Sequence, residues 1–164
     1  MKKILCVAIC AISVIAAQAG SISGLNSGAT VSNSAGALLD NTYMGQFYVG
    51  ADETSLTAVG NPSNFLAQGL LNAGTITANG TVSVQLRAWK GAATFEAASA
   101  TPGAEIGSSS VVSVTATDPP APPASLSGAG LTGFQLSTVS DVPEPSTIAL
   151  GLLGAAALFL RRRK

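Results

Sequence analysis

Thr81-Val82-Ser83-Val84-Gln85-Leu86-Arg87-Ala88-Trp89-Lys90 is the segment that sets the fold class of this chain. Val82, Val84, Leu86 and Ala88 alternate with Ser83, Gln85, Arg87 and Trp89. That is the period of two of a strand with one face in a core. Asn79-Gly80, just upstream, has the composition of a two-residue hairpin turn. It predicts Leu70 to Ala78 as the pairing partner, through Leu71, Ala73 and Thr75-Ile76-Thr77.

Shorter alternations of the same kind lie on both sides. Tyr43 to Val49 reads as a strand with Tyr43, Phe47 and Val49 on one face. Val111 to Thr117 places Val112, Val114 and Ala116 together, and a last strand aligns Phe134, Leu136 and Thr138. Gly, Ser, Thr, Ala and Asn fill the intervals, with no long amphipathic helical pattern and no repeat of fixed period. The expectation is an all-β fold, a single small β-sandwich of jelly-roll or immunoglobulin-like type. Asp118-Pro119-Pro120-Ala121-Pro122-Pro123 must cross as a polyproline-like segment and cannot join a central strand. It reads as a connection inside the domain, because Leu126 to Val139 regains strand-like patterning; the competing reading ends the domain at Thr117. Asn26 to Gly36 is polar and Gly-rich and carries no strand pattern.

The two ends have a different character. Lys2 and Lys3 precede an apolar run from Ile4 to Ala17, and Ala17-Gln18-Ala19 is a small-x-small cleavage site. Residues 1–19 are therefore expected to be a signal peptide removed after Ala19, by way of the secretory translocon and signal peptidase. At the other end, residues 147–160 are uncharged and rich in Leu, Ala and Gly, and Arg161-Arg162-Arg163-Lys164 closes the chain. Fourteen residues at about 1.5 Å rise span roughly 21 Å, short of the ~30 Å hydrocarbon core. Length alone favours a buried core helix. The absence of a polar face, the snorkelling reach of the four cations and the positive-inside rule favour a transmembrane helix held by membrane lipid. Pro143 and Pro145 fix their own φ and hold Glu144 in an extended segment, a shape an enzyme cleft can bind with little ordering entropy left to lose.

Val142-Pro143-Glu144-Pro145-Ser146-Thr147, the apolar helix and the basic terminus together resemble the bacterial PEP-CTERM protein-sorting signal, an element also named after the C-terminus of an ice-binding protein. The resemblance implies recognition of Pro143, Glu144 and Pro145 by an exosortase, a membrane-embedded cysteine protease or transpeptidase. It implies a membrane stop over 147–160 and a cytoplasmic anchor at Arg161, Arg162, Arg163 and Lys164. It also implies removal of the tail, with delivery of the exported part to the cell surface or matrix, often in bacteria that make exopolysaccharide. A looser resemblance to exported PEP-CTERM proteins runs through Val84-Gln85-Leu86-Arg87-Ala88-Trp89, Thr94-Phe95-Glu96-Ala97 and Gly107-Ser108-Ser109, and implies a β-rich extracellular module. The organisation expected is thus a signal peptide (1–19), an exported domain (20–141) and a sorting signal (142–164).

Composition narrows what residues 20–141 do. Both cysteines, Cys6 and Cys10, lie in the signal peptide and the chain has no histidine. Ser-His-Asp and Cys-His machinery and nitrogen or sulfur metal sites are thereby excluded, and packing alone must stabilise the exported part. Two cations, Arg87 and Lys90, face seven carboxylates, a net of −5 that the neutral whole-chain charge conceals. No basic patch marks a nucleic-acid partner. Asp52-Glu53, Glu96 and Glu105 are the candidates for a hydrolytic carboxylate pair, and Asp40-Asn41 with Asp52-Glu53 for calcium, but no Asp-x-Asp-x-Asp-Gly run is present. The expectation is no catalytic residue, no metal and no cofactor.

Trp89 and Arg87 are the candidate ligand-binding pair. By strand parity they lie opposite the aliphatic row, where Trp89, with Tyr43 or Tyr48, would stack on a sugar ring of an exopolysaccharide. The structural alternative has the strand bulge or end there, with Trp89 capping the core. Thr75/Thr77 and Thr115/Thr117 share the T-x-T spacing of flat ice-binding faces, in two isolated copies. The exported part is thus read as a non-enzymatic surface or matrix protein, with a carbohydrate-binding module as the alternative.

Overall fold

The computed structural model describes residues 19–140. The signal peptide up to residue 18, the sorting motif Pro143-Glu144-Pro145, the helix expected over 147–160 and the basic terminus lie outside the described residues. In chain order the strands are β1 (Gly20–Leu25), β2 (Val31–Ser32), β3 (Met44–Gly50), β4 (Thr57–Asn64), β5 (Asn72–Ala78) and β6 (Thr81–Lys90). After the short helix α1 (Phe95–Ser99) come β7 (Glu105–Ser108), β8 (Val112–Thr115), β9 (Phe134–Gln135) and β10 (Ser137–Thr138). The described residues are predominantly strand, in open sheets that do not close into a barrel, so the all-β expectation holds.

The segment 81–90 is the centre of the largest sheet, ordered β10-β7-β6-β3-β4. One edge of β6 pairs with β3 from Met44↔Trp89 to Gly50↔Ser83. Its other edge is shared by two successive strands. β7 pairs with Arg87 to Lys90, and β8 with Thr81 to Val84. Ser108 stands opposite Arg87 and Val112 opposite Val84, so four steps along β7–β8 match three along β6. One extra residue is therefore accommodated between them, the defining feature of a β-bulge. It inverts side-chain parity: Ile106 faces away from the main core, whereas Val112 and Val114 face into it. Ser109 closes the gap. Its N–H donates to the Leu86 carbonyl at 2.9 Å, and its Oγ accepts the Leu86 N–H at 3.0 Å.

Asn79-Gly80 does not make the expected hairpin. β5 pairs antiparallel with β1, with Ile76 opposite Ile22, in a separate two-stranded sheet. The reason is occupancy: β3 and the β7–β8 pair fill both edges of β6, leaving β5 no free ladder to join. The turn instead carries the chain from one sheet to the next, with Gly80 at φ +66, a conformation glycine adopts without a Cβ clash.

Ile22 and Ile76 from β1–β5, Val31 from β2, Phe47 from β3 and Val84, Leu86 and Ala88 from β6 share one buried cluster with Val112, Val114 and Ala116. Leu126, Leu131 and Leu136 join it, so the chain returns to this core after the proline-rich stretch. The region 134–138 is not one strand. β9 pairs parallel with β2 and β10 antiparallel with β7, with buried Leu136 between them. Asn26, in a stretch without strand pattern, is fully buried. Its Nδ2 donates to the carbonyls of Ala29 (2.8 Å) and Gly69 (3.0 Å), while its Oδ1 accepts the Leu71 N–H at 2.6 Å. One amide side chain thus satisfies the backbone of an irregular region that no ladder could serve.

Candidate functional site

The odd-numbered face of β6 is where the sequence places a ligand site, and the structure shows what covers it. Thr94 begins α1 as its N-cap, its Oγ1 accepting the Ala97 N–H at 3.2 Å. Phe95 then packs edge-on against Trp89 and Tyr48, with ring centroids 6.2 Å and 6.5 Å away. Trp89 has no exposed surface. It packs with Ala98, Ala104, Met44, Ile106 and Val139 in a second cluster on this side of the sheet, and its Nε1 donates to the Ala92 carbonyl at 3.1 Å. Trp89 keeps the strand's parity, without a bulge in β6, and is buried because α1 lies over it. The sugar-stacking role for Trp89 is corrected on this ground, since a ring with no solvent face cannot receive a sugar. Tyr43 and Tyr48 are buried as well, which removes the other aromatic candidates from the surface.

Arg87 is half-buried, and its guanidinium lies 3.9 Å from the centroid of the Tyr48 ring and 5.1 Å from that of Phe95. Its Nε donates to Gln85 Oε1 at 2.9 Å, and its Nη1 stands 3.5 Å from Glu96 Oε1. The Tyr48 hydroxyl donates to the same Glu96 oxygen at 2.8 Å. Burial first, and then that hydrogen bond to Glu96, push the Tyr48 hydroxyl up to about 12. Arg87 and Trp89 are therefore neighbours as expected, but the contacts they make fasten α1 to the sheet. The cation–π stacking is the stronger part of the Arg87 fastening, because its exposed ion pair with Glu96 contributes only about 0.2–1 kcal/mol.

The remaining acidic candidates are also engaged locally. Glu105 accepts hydrogen bonds from the Tyr43 hydroxyl at 2.6 Å, from the Ser34 N–H at 3.0 Å and from the Ser34 hydroxyl. Burial raises its carboxyl, but the Ser34 and Tyr43 hydrogen bonds outweigh that, and the net shift is downward. Tyr43 moves the opposite way, raised by burial and by its bond to Glu105. Lys90 Nζ sits 4.6 Å over the Tyr43 ring. Asp40 and Asp52 each accept from the threonine two residues on, the Thr42 and Thr54 hydroxyls at 2.6 Å and 2.7 Å, which lowers both carboxyls. These are turn-forming contacts. Among the described residues, no three acidic side chains gather as a metal cage would require. The two T-x-T pairs are joined through β1, where Ser21 exchanges backbone hydrogen bonds with Thr117 at 2.9 Å and 3.1 Å. Thr75 and Thr77 stand opposite Ser23 and Ser21 in the small sheet, and Thr115 Oγ1 meets Thr81 Oγ1 at 2.8 Å in the large one.

Residues 141–164 match the family model of the PEP-CTERM protein-sorting motif. The chain therefore carries the sorting motif that Pro143, Glu144 and Pro145 and the basic terminus resemble. No similar protein was found among curated proteins, and no similar fold among solved structures. The functional assignment accordingly rests on the motif, whose class is exosortase-directed sorting of exported proteins toward the cell surface.

Proposed function

We propose that the chain is an exported, non-enzymatic protein of the cell surface or extracellular matrix, processed at Pro143-Glu144-Pro145 by an exosortase. Residues 1–19 are the signal peptide, cut after Ala19 so that the mature protein starts with the first residue of β1. Residues 20–141 form a β-sandwich that is the cargo. Residues 147–160 span the membrane in the precursor, with Arg161, Arg162, Arg163 and Lys164 on the cytoplasmic side. The observation that carries this reading is the sorting-motif match over 141–164. The lack of histidine and cysteine in residues 20–164 and the local engagement of Glu96 and Glu105 support a structural cargo over an enzyme. The carbohydrate-binding alternative draws no support from Trp89, Tyr43 or Tyr48, which are buried.

Glu144→Ala tests the proposal. The wild-type product loses its C-terminal tail, and the variant stays full-length and membrane-bound, as read by intact mass and membrane fractionation. Equal tail loss in both proteins contradicts exosortase recognition of this motif.

A further inference from the structure

The fold stays fastened almost to the motif itself. Val139, next to last of the described residues, donates its N–H to the Ala104 carbonyl at 2.7 Å and accepts the Gly103 N–H at 2.9 Å. Its side chain packs into the Trp89 cluster. Just before it, Ser137 and Thr138 pair with Ile106 and Glu105. Glu144 lies five residue steps beyond Val139, and a fully extended chain of that length spans at most about 18 Å. Whatever protein grips Glu144 must therefore approach within that radius of Val139.

The surface around Val139 has a distinct chemistry. Ser99, the last residue of α1, with Ala100, Thr101, Pro102 and Gly103 after it, forms an exposed, uncharged loop that ends at the exit point of the chain. Gly103 has φ +79 and open space where a Cβ would stand, and residues 99–103 are all exposed among the described residues. The opposite edge of the large sheet is β4, four strand spacings or roughly 19 Å from β10. β4 bends at Gly60 (φ +67) and carries Pro62, which has no N–H to offer a new ladder.

Resting on the proposed processing, we infer that the Ser99–Gly103 loop is the face of the folded domain that meets the exosortase. The domain is processed while folded, with this neutral loop against the enzyme and β4 away from it. A short, fastened exit keeps the enzyme near this edge of the domain, and the absence of charge in the loop, beside Glu105 and Lys90 on the neighbouring strands, lets a second protein approach closely.

A photo-crosslinking side chain at Pro102, in the full-length precursor in its native membrane, tests the inference against the same side chain at exposed Ala58 of β4. The expected result is an enzyme adduct from position 102 and none from position 58. In parallel, Pro102→Arg slows tail loss. Inserting a Gly-Ser linker of about twelve residues after Ser140, which adds roughly 20 Å of reach, restores it. An unchanged thermal midpoint of the released domain shows that Pro102→Arg acts at the interface. Equal adducts at both positions, or no adduct at 102 while the tail is removed normally, overturn the inference but leave exosortase processing standing. An unmodified chain that keeps its tail overturns both.

Discussion

Residues 19–140 and residues 141–164 use their polar groups in opposite ways. In the body, polar side chains are committed to the fold. Arg87 fastens α1 over the sheet, Glu105 ties Ser34 to Tyr43, and Asn26 satisfies three backbone groups. In the tail, the one Glu and the four cations occur in an order that matches a sorting motif, separated by an uncharged run. The difference teaches that the body's polar residues report on stability, whereas the tail's report on destination. Substitutions in one region should therefore leave the other readout unchanged, the inferred enzyme contact at Ser99–Gly103 excepted.

The strongest challenge to this division is Trp89→Ala. Removing a fully buried ring beneath α1 is expected to destabilise the body by about 3–5 kcal/mol, measured by denaturant unfolding of the released domain. The folded fraction should still lose its tail normally. A variant of wild-type stability would put Trp89 back among candidate surface residues.

Ser109→Ala comes next. It leaves the Leu86 N–H without its partner at the break between β7 and β8, at a cost of about 1–3 kcal/mol. Ser109→Thr keeps the hydroxyl and should recover part of that loss. A neutral Ser109→Ala would mean that the bulge closes without it.

The smallest effect is an acid-side dependence. The folded-state carboxyl of Glu105 is depressed, so its contribution is present above the ordinary carboxylate value and disappears as pH falls through the folded one. Stability should therefore decline through the acidic range below about pH 4.5, and Glu105→Gln should flatten part of that decline in thermal melts. Tyr48 gives the mirror case. Its value is raised to about 12, so stability is full below the ordinary tyrosine value and falls as pH climbs from there toward 12. No change in slope on Glu105→Gln would detach the Tyr43–Glu105 contact from the body's stability.

The sequence revealed those parts of the molecule whose order is local. The alternation in 81–90 and in 112–116 is enforced by burial of one face, and both segments pair as strands or extend one. The sorting motif was legible because its three parts adjoin. Pairing partners were not, because Asn79-Gly80 specifies a change of direction and says nothing about which edge is already occupied. Helix α1 was missed because Phe95–Ser99 is too short to show a helical period. Its signal was Thr94 as an N-cap before an alanine-rich run. Without α1, Trp89 reads as a surface residue with correct parity and the wrong environment. The extra residue between β7 and β8 was equally hidden, since it is defined only against β6.

The central claim is that destination is written in residues 141–164 together with the export signal, and that the Ser99–Gly103 contact alters only the rate at which the tail is removed. Fusing residues 141–164 to an unrelated exported domain, and measuring the C-terminal mass of the product in cells that process the native chain, tests it most directly. The account predicts that the passenger loses the tail and reaches the cell surface or medium. A passenger that stays full-length in the membrane, beside a native chain that is cut, would contradict it.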